Sequence, residues 1–460
     1  MTAARASSKW SFCAARLWFF VLAALCVAPP ANALPSYARQ TGQACAMCHT
    51  ALPELTPFGR EFKLNGYVQG GGQDMQFLPP IAAMIQTSFN NTGSAQNPSP
   101  FPHVGPNNNL SLDQTSLFYG GAIWQDQGLG AFIQGTYNGV ARQIHWDNTD
   151  IRWAAQDSLF DSDLTVGVTL NNNPTVQDAW NTTPAWRYPF FSSFIAPTPL
   201  ASAAALVDNN VSQQVLGLGA YGWWDHMVYA EFSGYYTLSN DTLRTLGIGT
   251  NPGNTIDGVA PYWRVAVQPT WGPHSLEVGT FGMYANVNPQ KISTNGQDNL
   301  TDVGFDTQYQ FNGERDQIGV QASYIWQHRN NDASVPLGFA SNQTDDLKLT
   351  RIKASYFYQH TYGVNVSYFN YSGTPDSIFY GSGNPGGSFS GSPNSDGWIF
   401  EANYLPFSNG GPDWWPWLNF RVGLQYTLYT RFNGGTQNFD GFGRNASANN
   451  TLFLYVLTAF

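Results

Sequence analysis

"LNFRVGLQYTLY", Leu418 to Tyr429, alternates strictly. Leu418, Phe420, Val422, Leu424, Tyr426 and Leu428 fall on one side, and Asn419, Arg421, Gly423, Gln425, Thr427 and Tyr429 on the other. A period of two belongs to a β-strand with one oily and one wettable face. The pattern returns in "YWRVAVQPTW", where Trp263, Val265, Val267 and Trp271 oppose Arg264, Ala266, Gln268 and Thr270. It returns again in "IGVQASYIWQ", with Ile318, Val320, Ala322, Tyr324 and Trp326 on one face. About sixteen strands are expected, near residues 80–89, 112–124, 128–138, 149–159, 162–171, 212–222, 227–238, 259–271, 274–284, 299–311, 316–328, 345–358, 363–372, 395–405, 416–431 and 450–460.

The connections alternate as well. "QDQ", "FDSD", "WDH", "GPH", "NGERD" and "HTYG" are tight, whereas Asn90–Leu110, Asn172–Val211, Ser239–Gly258, Val287–Asp298, Asn330–Thr344, Ser372–Ser395 and Asn433–Asn449 are long and rich in Gly, Asn, Ser and Pro. Short turns at one rim and long loops at the other predict a mainly β fold, a transmembrane antiparallel barrel of the outer-membrane type. The segment "TLFLYVLTAF" sets Leu452, Leu454 and Val456 in step with Phe460, an aromatic-ended strand of the kind common in outer-membrane proteins.

Composition agrees. Aromatic residues make up 15% of the chain and charged residues only 11%, whereas about a quarter of a soluble domain is charged. No segment beyond the N-terminal region is apolar enough for a membrane-spanning helix, so strands have to do the crossing. Arg5, Lys9 and Arg16, the apolar run Leu17–Ala28 and the small-x-small site Ala31-Asn32-Ala33 read as a signal peptide over residues 1–33. Removing its three basic residues from the 20 Lys plus Arg leaves 17 against 30 Asp plus Glu, a net of −13. Such a chain is a poor nucleic-acid binder and suits cationic partners.

Residues 34–78 behave differently. They lack period-two alternation, end in the flexible "VQGGGQD" of Val68–Asp74, and give way to Pro79-Pro80 at the first strand. They also hold Cys45 and Cys48, the only cysteines left once Cys13 and Cys26 depart with the leader, in "CAMCH". A thioredoxin-like redox pair would want a βαβ setting that neither flank supplies. A zinc site needs four ligands, and the next histidine after His49 is His103. Covalent haem attachment accounts for the whole motif: both thiols reach the haem vinyl groups from one helical turn, and the adjacent histidine lies under the iron as its proximal ligand. One c-type haem is therefore expected, in a segment too short to build a large core without such a staple.

The stretch "LPSYARQTGQACAMCHTALPELTPFGREFKLNGY", Leu34–Tyr67, resembles the N-terminal cytochrome of the fused outer-membrane cytochrome-porins of iron-oxidising bacteria. The likeness rests on Ala38 to Gly42 before the haem motif and on Pro53, Leu55 to Arg60 and Phe62-Lys63 after it. Beyond Tyr67 it extends to architecture only. The resemblance implies a monohaem plug (residues 34–78) in the periplasmic mouth of an outer-membrane barrel (residues 79–460). It further implies oxidation of extracellular Fe(II), with electrons passed to a periplasmic carrier such as a cytochrome.

The family motif does not name the distal iron ligand. Met47 lies inside the attachment turn, and Met75, Met227 and Met283 are further candidates; Met84 is preferred because in "IAAMIQTSF" it shares the polar, lumen-facing side with Ala82, Gln86 and Ser88. Arg39, Arg60 and Lys63 are candidate partners for the haem propionates. Pro53 or Thr56-Pro57 is expected to offer a carbonyl to the His49 ring. His103 and His145 fall in expected loops, the latter near Asp147 and Asp150, where an iron-docking site is conceivable. No constellation for hydrolysis or group transfer is present. The alternatives to iron oxidation are a solute porin plugged by its haem segment and a conduit carrying electrons outward.

Overall fold

The computed structural model describes residues 34–72, 79–187, 189–200, 203–248, 255–381, 387–412 and 414–460; the expected signal peptide and Met75 lie outside them. Sixteen strands close into one antiparallel ring. They are β1 (Ile81–Thr92), β2 (Asn109–Trp124), β3 (Leu129–Asn138), β4 (Gln143–Leu159), β5 (Ser162–Asn171), β6 (Val215–Trp224), β7 (Val228–Thr237) and β8 (Ala260–Val267, continued by Thr255–Ile256 and Thr270–Trp271). The second half comprises β9 (His274–Asn288), β10 (Asp298–Asn312), β11 (Asp316–Asn330), β12 (Thr344–Tyr358), β13 (Tyr362–Gly373), β14 (Ser395–Tyr404), β15 (Asn419–Arg431) and β16 (Thr451–Ala459). Each pairs with its sequence neighbours, and β16 returns to β1, Thr451 opposite Thr92 and Ala459 opposite Met84. Closure leaves no open edge.

The two faces sort as the alternation predicts. On β15 Asn419, Arg421, Gly423 and Gln425 are buried inward, while Leu424 and Tyr426 are exposed on the outside. Leu117, Leu218, Phe232, Phe305 and Ile352 are likewise exposed at mid-strand, with Trp124, Trp271 and Tyr362 near the short turns and Trp146, Tyr236 and Trp398 towards the long loops. An apolar belt between two aromatic girdles on a closed sheet belongs in a bilayer. Among the described residues no helix is long and apolar enough to cross a membrane.

Residues 34–72 lie inside the ring, near the short-turn rim. Helix α1 (Pro35–Thr41) begins on a proline and ends at Gly42 with φ 69°; α2 (Cys45–Cys48) is a single turn; α3 (Pro57–Leu64) is capped by Thr56, whose Oγ1 accepts from the Gly59 amide. A short hairpin between α2 and α3 pairs His49 with Leu55 and Ala51 with Glu54. Polar bonds tie this plug to the wall in several directions. Tyr67 Oη donates to Asp150 on β4 at 2.6 Å and Tyr221 Oη of β6 to the Leu64 carbonyl at 2.5 Å. Thr50 donates to Asn312 at the end of β10 at 2.8 Å, and Lys353 of β12 forms a buried ion pair with Glu54.

Two expectations change. His145, placed in a loop by sequence, is on β4, which starts six residues earlier than expected after a register shift opposite Ile133 and Gly135. The connection Asn172–Val211, read as a long outer loop, folds inward, and residues 172–185 are all buried. Asp178 holds its turn together by accepting from the amides of Thr182 (2.8 Å) and Thr183 (3.1 Å) at Oδ2 and of Trp180 (3.2 Å) at Oδ1, and the same Oδ1 faces Arg264 of β8 at 3.1 Å. The loop meets the plug directly: Asn181 donates to the Pro53 carbonyl at 2.7 Å. Plug and loop thus fill the lumen from opposite ends.

Candidate functional site

A cavity of about 470 Å³ lies between plug, inward loop and wall, within the roughly 300–1,000 Å³ range of cofactor pockets. Its apolar lining includes Tyr37, Leu55, Phe62, Phe118, Phe132 and Phe191. Cys45, Cys48 and His49 all open onto it from α2 and the residue after it. One helical turn followed by extended backbone at His49 (φ −130°, ψ 130°) sets two thiols and an imidazole on one wall. Burial raises both thiols, Cys48 to about 12, so they are protonated here.

His49 is oriented by its own hairpin. Its Nδ1 lies 3.3 Å from the Glu54 carbonyl, which leaves Nε2 as the free ring nitrogen. Burial lowers the imidazole to about 4, outweighing the opposite pull of the Glu54 and Pro53 carbonyls, so the ring is neutral and basic at any higher pH. The orienting residue is therefore chiefly Glu54, with Pro53 in support. Thr56 acts elsewhere, donating to the Met47 carbonyl at 2.5 Å and capping α3.

Across the cavity, Met84 projects from β1 on the lumen side as expected and packs against the cluster of Phe191, Phe453, Tyr455 and Leu457. Met84 and His49 line the same cavity. Met47 is exposed, and Met227 and Met283 do not line it. A thiol pair, a neutral imidazole with a free nitrogen and a thioether around an aromatic chamber form a donor set that fits a c-type haem.

The three expected propionate partners are engaged by protein groups instead. Arg39 donates to the Ile81 carbonyl at 2.5 Å and stacks on Trp417, its guanidinium carbon 4.5 Å from the ring centre. Arg60 reaches four side chains of the wall: Gln268, Ser275 (2.9 Å), Gln308 (2.6 Å) and Gln310. Neither lines the cavity. Lys63 does, but its ammonium donates to the Val176 carbonyl (2.9 Å), the Asp178 carbonyl (2.7 Å) and Asn181 Oδ1 (3.0 Å). These residues bolt the plug in place.

Sequence reasoning missed the inward loop and Glu54. One signal was available: "NNNPTVQDAWNTTPAW", Asn171–Trp186, carries two tryptophans and no glycine, which is unlike a solvated loop. Towards the long-loop end the cavity becomes polar, with Asp147, Asn148, Asn209 and Gln213. His145 stands 4.0 Å from Asp147. Among the described residues no three metal-ligating side chains converge, so the imagined iron-docking cluster does not form there.

No family model matches the chain, and no curated relative does. Solved structures do show a likeness. The anion-selective porin of Comamonas acidovorans is 11% identical with a TM-score of 0.45, covering 82% of this chain and 98% of that one. The outer-membrane channel DcaP of Acinetobacter baumannii is 10% identical with a TM-score of 0.44, covering 83% and 96%. A loop-deletion mutant of the outer-membrane protein OmpT of Vibrio cholerae is 10% identical with a TM-score of 0.39, covering 83% and 98%.

Proposed function

We propose that this chain is an outer-membrane cytochrome-porin, a barrel whose plug carries one covalent haem and conducts electrons across the membrane from extracellular Fe(II). The observation that carries the reading is that the Cys45-x-x-Cys48-His49 turn opens onto an aromatic-lined cavity shared with Met84. Cys45 and Cys48 would supply the thioether links and His49 Nε2 the proximal ligand. The Glu54 carbonyl keeps that ring in one tautomer. A haem held there supplies a one-electron carrier inside an apolar band roughly 25 Å thick, between Fe(II) at the long-loop face and a periplasmic carrier at the short-turn face. Ferric iron precipitates near neutral pH, so oxidation at the outer face keeps the solid product outside the cell.

A solute porin with a structural plug is the second reading, favoured by the barrel itself, which has a channel-like wall whatever its plug contains. The two separate in one experiment. Fe(II) added anaerobically to the oxidised holoprotein is expected to reduce the haem bands. Reduction by dithionite but not by Fe(II) rules out iron as donor, and a mature protein without covalent haem leaves the porin reading.

Met84→Ala is expected to alter the oxidised haem spectrum and lower the reduction potential, because a His/Met pair raises the potential of a c-type haem. If spectrum and potential both match the parent protein, Met84 is not the distal ligand.

A further inference from the structure

Building on the haem reading above, we propose that Arg187 holds the haem propionates, and so sets which edge of the porphyrin faces the inward loop. Only two cationic side chains line the cavity among the described residues, Lys63 and Arg187. All three N–H groups of Lys63 already have oxygen acceptors. The nearby arginines are committed too: Arg152 to Asp150 at 2.7 Å, Arg421 to Asn403 at 2.9 Å, and Arg39 and Arg60 as described. The Arg187 guanidinium has no partner among the described residues and is exposed, although Thr183, Pro184 and Ala185 before it are buried.

The backbone beneath it is fixed. The Arg187 amide donates to the Pro184 carbonyl at 3.2 Å, and Trp186 Nε1 donates to the Val176 carbonyl at 3.0 Å. Trp186 in turn lies under the Lys63 ammonium, 4.6 Å from the ring centre. A fixed main chain with an uncommitted guanidinium at the rim of an aromatic chamber suits a carboxylate ligand. The planar fork of arginine can take such a carboxylate bidentately, through charge-assisted hydrogen bonds. A positive charge there keeps the propionates ionised and favours the reduced iron, whose net charge is lower by one.

The test uses the full-length holoprotein as wild type, Arg187→Gln, Arg187→Lys and Lys63→Gln, with covalent haem content and midpoint potential measured across pH. Haem content is expected to match wild type in both Arg187 variants, since attachment rests on Cys45 and Cys48. Arg187→Gln is expected to lower the potential and move the acid-side inflection of its pH curve to higher pH, with Arg187→Lys restoring most of both. A curve for Arg187→Gln superimposable on wild type overturns the proposal, as does a shift produced by Lys63→Gln instead. Wild-type protein without covalent haem overturns the haem reading itself, a separate and visible outcome.

Discussion

Lys353→Met is expected to loosen the plug by about 3–5 kcal/mol, the usual result of removing one partner from a buried ion pair. Lys353 and Glu54 are both almost fully buried, at 4% and 1% side-chain exposure, and Glu54 has no other ion-pair partner among the described residues. Removing the lysine therefore strands a carboxylate inside the barrel. The consequence reaches the site, because Glu54 has two attachments: its side chain grips the wall, and its carbonyl faces His49 Nδ1. Protease protection of residues 34–72 and the thermal transition are both expected to fall in Lys353→Met. The double variant Glu54→Gln/Lys353→Met is expected to recover most of the loss, since it strands no charge. Equal loss in single and double variants would show that the lysine acts through packing alone.

Gly59→Ala is expected to be the most damaging small substitution in the plug. A Cβ on Gly59 would lie 2.3 Å from the Cys48 carbonyl oxygen and 3.0 Å from its carbon and Cα. All are backbone atoms, so relief requires α3 to part from the Cys45–Cys48 turn. Overpacking of this kind costs about 1–3 kcal/mol, and here the displaced group carries Cys48 and His49. The Cys48 carbonyl is already fixed by the Thr56 amide at 2.9 Å, so the turn has little room to yield. On the haem reading proposed above, covalent haem yield is expected to drop severalfold, measured by haem staining against total protein. Gly135→Ala, where a new Cβ meets nothing within 4 Å, is the matched control. Wild-type haem yield in Gly59→Ala would show that the two turns move independently.

The barrel was legible because a lumen filled with side chains and a lipid-facing exterior impose opposite polarity on successive residues. All sixteen expected strands are present, with ends displaced where polar residues extend a strand. β1 runs on to Thr92 because Asn90 faces the lumen, where an amide is welcome. The lumen side of Met84 was legible for the same local reason. The role of Arg60 was not, because its partners Gln268, Ser275, Gln308 and Gln310 are uncharged and more than 200 residues away in sequence. Nor could spacing show that Asp178 would turn its loop inward, since the pull comes from Arg264 on a distant strand.

The seam between β16 and β1 has a consequence for timing. It joins residues 451–459 to residues 84–92, so the ring cannot close until nearly the whole chain has been made, and pairings of such long range form late. The plug precedes β1, so it is synthesised before any strand of the ring and is among the last parts to receive its surroundings. In that interval Arg60, Lys63 and Glu54 have no wall to bind. A segment of this size holds little core of its own, and a covalent crosslink made early would keep Cys45, Cys48 and His49 in register until the cylinder forms around them.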